Sequence, residues 1–545
     1  MEKFRERCRE IADFLKIHID WIGIGIGLLF VFWLVYDLWR TRLIEISTAG
    51  IILGIGGVAA ALAYFFFRFY GFDKKGKILS WLLIALMTAG SVFGIGISDQ
   101  LTAAVQKLSW HDKNYKEYIG FYAYRQAPVG TLDADSSEVT IGILTTNNGN
   151  LNNYALDQLR QRGVKFKTHD FGSIQQMMRA LKGQSVQLLL LEPYQIELAK
   201  EYPELVRADK ELIKVESVDM ETGMNDEPSS VDVETDPYSV LIMTSTDPLN
   251  KSSFRTYQCL LAWINPQTQQ ILLINLPRNL VIPENCTSEY ACTPGATDKI
   301  SLLTFHSQNV LRQSLQAWLG SEINYTVRID MKTLDNILEK TGTVRVNNPN
   351  YYVSGNTVFN QGEIDLNAVT ADIYLSNFND FSEADQQTEN NHLNVLRGFL
   401  PFNWITSLFD MEPVLDIVKN SIETDFSYDS LCEIVRTFIL YPNHWDVHEM
   451  SPVVRQGFEN SSILSGYTYV NGILDPSLDR IRGAIEALKN GEEINTDQSD
   501  IQEALNQELE AEAQAQAQAQ AEAEAAAQAA AEQAAAEQDE QNQQQ

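Results

Sequence analysis

The 545-residue sequence is poor in cysteine and histidine. Its five cysteines are too few for a fold built on disulfides. Its seven histidines are scattered along the chain, which argues against a zinc site. These shortages exclude a disulfide scaffold and disfavour a zinc-binding module.

Positive charge is scarce as well. The chain has 41 Lys and Arg against 72 Asp and Glu, a formal net charge of −31. No Lys or Arg follows Lys489, whereas acidic residues recur as far as Glu540. Because nucleic-acid binding needs a basic surface, nucleic acid is excluded as a partner.

Long apolar runs, by contrast, stand near the N-terminus, at residues 21–39, 49–67 and 78–98. Each is about 20 residues long, enough for a helix to cross roughly 30 Å of hydrocarbon. One such run alone could be a buried core helix or a cleaved signal peptide, but three in succession favour membrane spans. We therefore predict a cytoplasmic tail at 1–20 and three transmembrane helices within 21–98.

Basic residues indicate the orientation of these spans. Lys and Arg are frequent before the first run and between the second and third, whereas the first connection has only Arg40 and Arg42. Because basic loops stay in the cytoplasm, the roughly four hundred residues after the third run are predicted to be extracytoplasmic.

Residues 99–217 are predicted to form a small α/β accessory domain. "EVTIGILTT", "VKFKTHDF" and "VQLLLLEP" have the composition of strands, and two amphipathic segments between them end at glycine, as helices do. This alternation predicts a parallel sheet. His169 and Glu192 are isolated and indicate no chemistry. An acidic stretch rich in Ser, Asn and Asp predicts a linker at 218–236.

A second α/β domain is predicted over residues 237–490. Its first strands are "YSVLIMTSTD", "TYQCLLAWI" and "QQILLINL", and "NPQT" is a good hairpin turn between the last two. Further strands and a helix-rich second half follow.

The hairpin register predicts a site. If the turn centres near Gln267, Arg255 lies opposite Arg278, and Asp247 ends the neighbouring strand. Two arginines and a carboxylate would then gather at one edge of the sheet. Open α/β sheets bind ligands at such strand ends.

The last segment, residues 491–545, becomes almost purely Ala, Gln and Glu. Its "AQAQAQAQ" repeat has no apolar heptad stripe, which disfavours a coiled coil. We expect an acidic, solvated and partly helical tail.

Two of the five cysteines, Cys286 and Cys292, lie in a polar loop that is expected outside the cell. An oxidising compartment favours a disulfide between them. Two free thiols are the alternative.

The order of these features resembles the LytR-CpsA-Psr family of bacterial cell-envelope proteins. "IMTSTD" with Arg255 after it, "LLINLPRNLVIP" and "DKISLL" stand where the family has Gly-x-Asp, Arg-x-Asp, "(S/T)(I/L)PRD" and a Lys-Ile pair. "NYTVRIDMKTLDNILEKTGTVRV" resembles the strand, helix and turn that follow in the family. The three spans and the small domain ahead resemble its CpsA-like branch, tied to capsule attachment. The resemblance implies an α/β/α sandwich for the main domain.

The resemblance also implies a chemistry. Proteins of this family hold a polyprenyl-pyrophosphate-linked glycan and transfer the phosphoglycan to peptidoglycan, usually with Mg²⁺. By resemblance, Arg255 and Arg278 are catalytic, Lys299 and Asn279 bind the substrate, and Asp247 lies on the metal side. Arginine's planar fork suits pyrophosphate oxygens, and phosphoryl transfer depends mainly on positioning and charge neutralisation. The implied partners are this lipid-linked glycan, peptidoglycan, the membrane and other envelope-assembly proteins.

The sequence departs from the family pattern at charged positions. Tyr257 replaces an expected Asp, and Asn279 replaces the Asp of "PRD". The family's "(F/Y)-x-R-x-R" falls on "YLSNF", Glu389 stands where a cation is expected, and Arg397 comes too late in its helix to substitute. Losing one charge-stabilising donor typically costs about 10²- to 10³-fold in turnover.

Two functions therefore stay open. In the first, the protein is a glycopolymer phosphotransferase of the bacterial cell membrane. In the second, it is a catalytically impaired relative, a pseudoenzyme that binds lipid-linked glycan or partner proteins as a scaffold or regulator of envelope assembly.

Overall fold

A computed structural model describes most of the chain. The described ranges are 2–69, 74–109, 114–145, 149–192, 205–223, 229–245, 254–285, 295–330, 332–354, 356–375, 411–440, 445–461 and 466–543, with single residues or pairs within 195–199, at 249 and within 391–398.

Three apolar helices open the chain, and each is long and apolar enough to cross a membrane. They are α1 (Glu2–Arg40), α2 (Ile46–Phe69) and α3 (Lys74–Leu108). The hydroxyl of Ser98 donates a hydrogen bond to the Asp37 carboxylate at 2.7 Å, which ties α3 to α1. The predicted helices are confirmed, but α3 continues past residue 98, so the accessory domain begins later than the sequence indicates.

The accessory domain has a five-stranded sheet in the order β3-β2-β4-β1-β5. Its elements are β1 (Asn114–Tyr124), β2 (Val139–Leu144), α4 (Gly149–Gln161), β3 (Phe166–Phe171), α5 (Ile174–Lys182), β4 (Leu188–Leu191), α6 (Ala208–Glu211) and β5 (Leu212–Gly223).

Only part of this sheet matches the prediction. β2 pairs in parallel with β3 and β4, as expected, whereas β1 pairs antiparallel with both of its neighbours, β4 and β5. β5 extends to Gly223, so the first residues of the predicted linker at 218–236 belong to the sheet. The many charged residues of β5 concealed this strand in the sequence.

The main domain is built on a six-stranded sheet in the order β16-β11-β6-β7-β8-β17. Its strands are β6 (Tyr238–Ser245), β7 (Gln258–Asn265), β8 (Gln270–Leu276), β11 (Tyr325–Asp330), β16 (Ile422–Thr424) and β17 (Asp446–Met450).

Helices and small strand pairs surround this sheet. The helices are α7 (Ile300–Leu303), α8 (Gln308–Leu319), α9 (Lys332–Thr341), α10 (Ala368–Leu375), α11 (Met411–Ser421), α12 (Tyr428–Leu440) and α13 (Asp475–Asn490). The paired strands are β9 (Val281–Pro283), β10 (Thr297–Lys299), β12 (Thr343–Asn348), β13 (Tyr352–Ser354), β14 (Thr357–Phe359), β15 (Gly362–Asn367), β18 (Val454–Ser461) and β19 (Gly466–Ile473).

Helices cover both faces of the main sheet. On one face, Leu261 and Ile274 pack with Leu315 of α8 and Ile485 of α13. On the other face, strand residues pack with α12. The α/β/α sandwich is therefore confirmed. The short strand pairs of the second half escaped prediction, because three-residue strands leave little periodicity to read.

The main domain lies against the apolar helices at the connection between α1 and α2. Tyr428 Oη of α12 donates a hydrogen bond to Thr41 O at 3.0 Å. Leu43 is buried in one cluster with Val105 of α3 and Cys432 of α12. The end of the apolar helices and α12 thus share a small core.

An ion-pair bridge borders this core. Arg436 Nε of α12 lies 3.5 Å from Glu45 Oε1, and its Nη2 lies 2.5 Å from Glu234 Oε2. Burial and a hydrogen bond with Glu45 raise the pKa of Glu234, and Arg436 opposes this shift. One arginine therefore links the helix connection, the segment before β6 and α12.

The C-terminal segment forms one helix, α14 (Ser499–Gln543). Ile501 and Leu505 are buried against Val453, and Arg455 of β18 forms ion pairs with two glutamates of α14. The expectation of a partly helical, solvated tail needs correction for its first turns, which pack on the main domain. The side chains that follow are exposed as far as residue 528, where their description ends.

Candidate functional site

The candidate site lies at the carboxyl end of β6. Its last residue, Ser245, pairs in parallel register with Asp330, the last residue of β11. On the other side of β6, Thr244 pairs with Gln258, so the antiparallel register places Tyr257 next to Ser245. The backbone N–H of Tyr257 donates a hydrogen bond to Thr244 O at 2.9 Å. Asp330, Ser245 and Tyr257 thus lie side by side on adjacent strands.

The hairpin brings Arg278 into the same row. Cys259 pairs with Leu276, so the register places Tyr257, not Arg255, opposite Arg278. The predicted register is wrong by two residues, because Gln269 with φ 56° extends the turn. A shift of two keeps every side chain on its face of the sheet.

The two arginines still converge. The guanidinium carbon of Arg255 lies 5.7 Å from the centroid of the Tyr257 ring, and that of Arg278 lies 5.6 Å from it. Both distances suit cation–π interactions. The ring that stands in place of the expected Asp therefore gathers both arginines.

A tight turn presents Arg278 and Asn279. Leu280 N donates to Pro277 O at 2.8 Å, which closes a turn with Arg278 and Asn279 at its centre. Ser301 N donates to Arg278 O at 3.1 Å, so α7 supports the turn. The proline therefore begins a rigid turn that projects the arginine from the strand end.

Lys299 lies beside this turn. Its Nζ donates a hydrogen bond to Asn279 Oδ1 at 3.2 Å, and the two side chains are buried. Asp298 accepts the backbone N–H of Lys299 at 2.7 Å. Burial lowers the pKa of His306, and the charge of Asp298 opposes the shift. Two of the predicted substrate-binding residues are thus in direct contact.

The segment that carries Arg255 is held by α7. Phe254 N donates to Thr304 O at 3.1 Å, and Thr304 Oγ1 donates to Phe254 O at 2.7 Å. Thr256 N donates to Ser301 O at 3.3 Å. These bonds fix the half-buried Arg255 at the start of β7.

Sequence reasoning missed Arg328, although it stands in the quoted segment "NYTVRID". Its guanidinium carbon lies 3.6 Å from the centroid of the Phe254 ring, and Nη1 lies 4.0 Å from Glu423 Oε2. Only 1% of its side chain is exposed. The sequence feature that could have identified Arg328 is its inward position on a predicted strand, where an arginine is unusual. Through Phe254, this buried cation lies against the segment that carries Arg255.

Several predicted residues lie outside the described part of the chain. They are Asp247, Cys286, Cys292, Glu389 and the last residues of "YLSNF". Arg397 is described, and it forms an ion pair with Glu449 of β17, at the far edge of the sheet. Within the described residues, no three His, Cys, Asp or Glu side chains form a metal-binding group.

Comparison with known proteins identifies relatives. Residues 206–475 match the LytR_cpsA_psr family. The match begins before β5 and so overlaps the predicted accessory domain.

Curated relatives carry the name polyisoprenyl-teichoic acid–peptidoglycan teichoic acid transferase TagU. The chain is 22% identical to that of Bacillus subtilis over 217 residues, 39% of this chain and 68% of the relative. It is 22% identical to that of Bacillus licheniformis over 209 residues, 38% of this chain and 66% of the relative. It thus spans about two thirds of the length of these relatives.

Solved structures are also similar. The crystal structure of B. subtilis TagV has a TM-score of 0.37 and 13% identity, covering 47% of this chain and 98% of that one. Protein gbs0355 from Streptococcus agalactiae has a TM-score of 0.38 and 16% identity, covering 49% and 93%. From the family match and the TagU relatives, residues 206–475 form a domain of the LytR-CpsA-Psr family.

Proposed function

We propose that this protein binds a polyprenyl-pyrophosphate-linked glycopolymer and transfers it to peptidoglycan. The observation that carries the proposal is the convergence of Arg255 and Arg278 on the Tyr257 ring. Lys299, hydrogen-bonded to Asn279, adds a buried cation beside the neighbouring turn. Arginine forks bind phosphate oxygens in pairs and stay charged at every relevant pH.

The reaction is a phosphoryl transfer. A hydroxyl of peptidoglycan forms a bond to the glycan-side phosphorus, and the bond from that phosphorus to the bridging oxygen breaks. Polyprenyl monophosphate leaves, and the hydroxyl proton is released. Arg255, Arg278 and Lys299 would hold the pyrophosphate and offset the charge that shifts to the leaving oxygen.

Magnesium is the cofactor implied by the family. Mg²⁺ prefers oxygen ligands and keeps several waters, so one or two carboxylates with phosphate oxygens suffice. The described strand ends offer the Ser245 hydroxyl and the Asp330 carboxylate, and Asp247 follows in sequence. Bound there, the cation would neutralise pyrophosphate charge.

The location we propose is a bacterial cell membrane, with α1, α2 and α3 spanning it and the later domains outside. The basic residues before α1 and before α3 support this orientation. The contact of α12 with the connection between α1 and α2 supports it too, because both then lie on the outer side.

A second function also has an observation in its favour. Tyr257 fills the space between the two arginines with a neutral ring, where the family pattern has an Asp. A relative that binds lipid-linked glycan without transferring it, acting as a scaffold, would retain the arginines and dispense with that carboxylate. The capsule polymer and wall teichoic acid are alternative cargoes for either function.

The experiment is binding of a polyprenyl pyrophosphate to the full chain in nanodiscs, with and without Mg²⁺, for wild type and the Arg255→Ala/Arg278→Ala variant. An Arg160→Ala/Arg162→Ala variant, in the accessory domain, is the matched control. We expect binding that the site variant loses and the control keeps. Equal binding by all three proteins would contradict the proposal.

Release of polyprenyl monophosphate in the presence of peptidoglycan then separates the two functions. Release by the wild type supports the transferase. Binding without release supports the scaffold.

A further inference from the structure

We propose that Asp330 supplies the carboxylate that is missing at Tyr257 and binds the divalent cation at the sheet edge. The inference rests on the proposed function, because it takes pyrophosphate as the anion that the cation accompanies.

Strand register places Asp330 beside β6. It pairs with Ser245, and Tyr257 follows β6 on the opposite side of Ser245. Neighbouring strands are about 4.8 Å apart. The carboxylate of Asp330 therefore lies on the other side of β6 from the position of Tyr257, where the family pattern has an Asp. Both positions belong to one row of residues that crosses the strands.

The side chains in this row share one face of the sheet. One row inward, Arg328 pairs with Met243, Met243 with Cys259, and Cys259 with Leu276. The last three belong to one core cluster, which defines the face. Because side chains alternate along strands, residues two positions further on lie on that same face.

The outward row on this face consists of Asp330, Ser245, Tyr257 and Arg278. It has a carboxylate at one end and an arginine at the other, with the Ser245 hydroxyl next to the carboxylate. A cation at the first end and the arginine at the second would bracket a pyrophosphate lying along the row.

One oxygen of the Asp330 carboxylate orients the side chain, and the other is the proposed cation ligand. Its Oδ1 accepts the backbone N–H of Lys332 at 3.0 Å, which holds the side chain at the strand end. Oδ2 is the candidate ligand. A hydrogen bond to a ligand carboxylate is the usual way of orienting it.

A simpler role for Asp330 is to accept the backbone N–H of Lys332, the first residue of α9. Asparagine makes the same local side-chain to backbone bond as aspartate does. Asp330→Asn therefore preserves this bond and removes the charge, so the two roles predict different results for this variant.

The charge of Asp330 should have opposite effects on pyrophosphate binding with and without a cation. Without a cation, a carboxylate in the row repels pyrophosphate, and with a cation it holds the ion that attracts pyrophosphate. Asp330→Asn should thus strengthen metal-free binding and weaken Mg²⁺-dependent binding. A purely structural role would change both in the same direction or neither.

The experiment measures inorganic pyrophosphate binding to the full chain in nanodiscs by calorimetry, with Mg²⁺ and with chelator. We expect the enhancement by Mg²⁺ to fall at least about tenfold in Asp330→Asn, the loss typical even of groups that only support metal ligands. Glu363→Gln, an exposed carboxylate on β15, is the matched control and should behave as wild type.

A second variant tests whether a carboxylate at position 257 can replace that of Asp330. Asp330→Asn/Tyr257→Asp returns a carboxylate to the family position and should recover Mg²⁺ dependence. Unchanged Mg²⁺ dependence in Asp330→Asn overturns this inference alone, since pyrophosphate binding itself persists. Failure of the wild type to bind pyrophosphate in either condition overturns the proposed function.

Discussion

Lys299 donates a hydrogen bond to Asn279 at 3.2 Å, with only 1% and 0% of the two residues exposed. In the family pattern the second position is an Asp, which would pair with the ammonium charge. Asparagine supplies the acceptor without the charge. The positive charge of Lys299 is therefore not neutralised by this neighbour.

Asn279→Asp should weaken pyrophosphate binding in the absence of metal, because the new carboxylate neutralises Lys299. We expect at least about a tenfold loss, ~1.4 kcal/mol, measured by calorimetry. Asn285→Asp adds the same charge at an exposed position and is the control. Equal affinity of the Asn279 variant and wild type would refute the role of this pair.

Arg328→Met should destabilise the main domain, because it leaves Glu423 buried without its cation. Breaking a buried pair typically costs about 3–5 kcal/mol, measurable by chemical denaturation. Replacing both partners, as Arg328→Met with Glu423→Gln, should cost less than the single change. A double variant as unstable as the sum of both single variants would show that the two residues act independently.

Tyr257→Leu should release both arginines from their shared ring, whereas Tyr257→Phe should keep them. Each cation–π contact is worth about 0.5–2 kcal/mol. Pyrophosphate affinity should fall in the Leu variant and stay near wild type in the Phe variant. Similar affinities for Leu and Phe would mean that the ring does not position the arginines.

Leu43→Cys should form a disulfide with the native Cys432, because both positions lie in the core shared by α12 and the helix connection. The measurement is a gel shift of the oxidised full chain in membranes, after cleavage at a protease site inserted within residues 224–228. Ile46→Cys, 77% exposed on α2, is the matched control and should not cross-link. Equal cross-linking at both positions would indicate that the two parts do not hold this packing.

Asp335→Asn should stabilise the protein at neutral pH but not in acid. Burial raises the pKa of Asp335 from 3.8 to about 6, and the charges of Asp372 and Glu339 raise it as well. Because the folded pKa exceeds the unfolded one, ionisation of Asp335 removes stability as pH rises from 3.8 through about 6. The melting temperature of Asp335→Asn should therefore exceed that of the wild type by an amount that grows as pH rises through this range. A difference that stays constant with pH would contradict the raised pKa of Asp335 as its cause.

Local features of the fold were predictable from the sequence. The spans follow from the length of apolar runs. The cap of α8 by Ser307 and its end at Gly320, with φ 67°, follow from residue preferences at helix termini. The α/β/α sandwich and the family followed from motif order.

The site was predictable only in part. Arg255 and Arg278 were identified by motif, but their register depended on the left-handed conformation of Gln269, which composition does not reveal. Asp330 joins the row through a parallel pairing with Ser245, 85 positions earlier in the chain. Such non-local pairing leaves no periodic signal, so the place of this carboxylate in the row emerged only from the structure.

The contact between α12 and the helix connection has a consequence for how substrates meet the protein. A domain on a loose tether would sweep a volume above the membrane, and its encounters would be three-dimensional. A domain seated on its own anchor keeps its binding edge at one height and tilt. For the lipid-linked substrate that we propose, which would be confined to the bilayer, finding that edge would be a search in two dimensions, with the orientation of both partners already set.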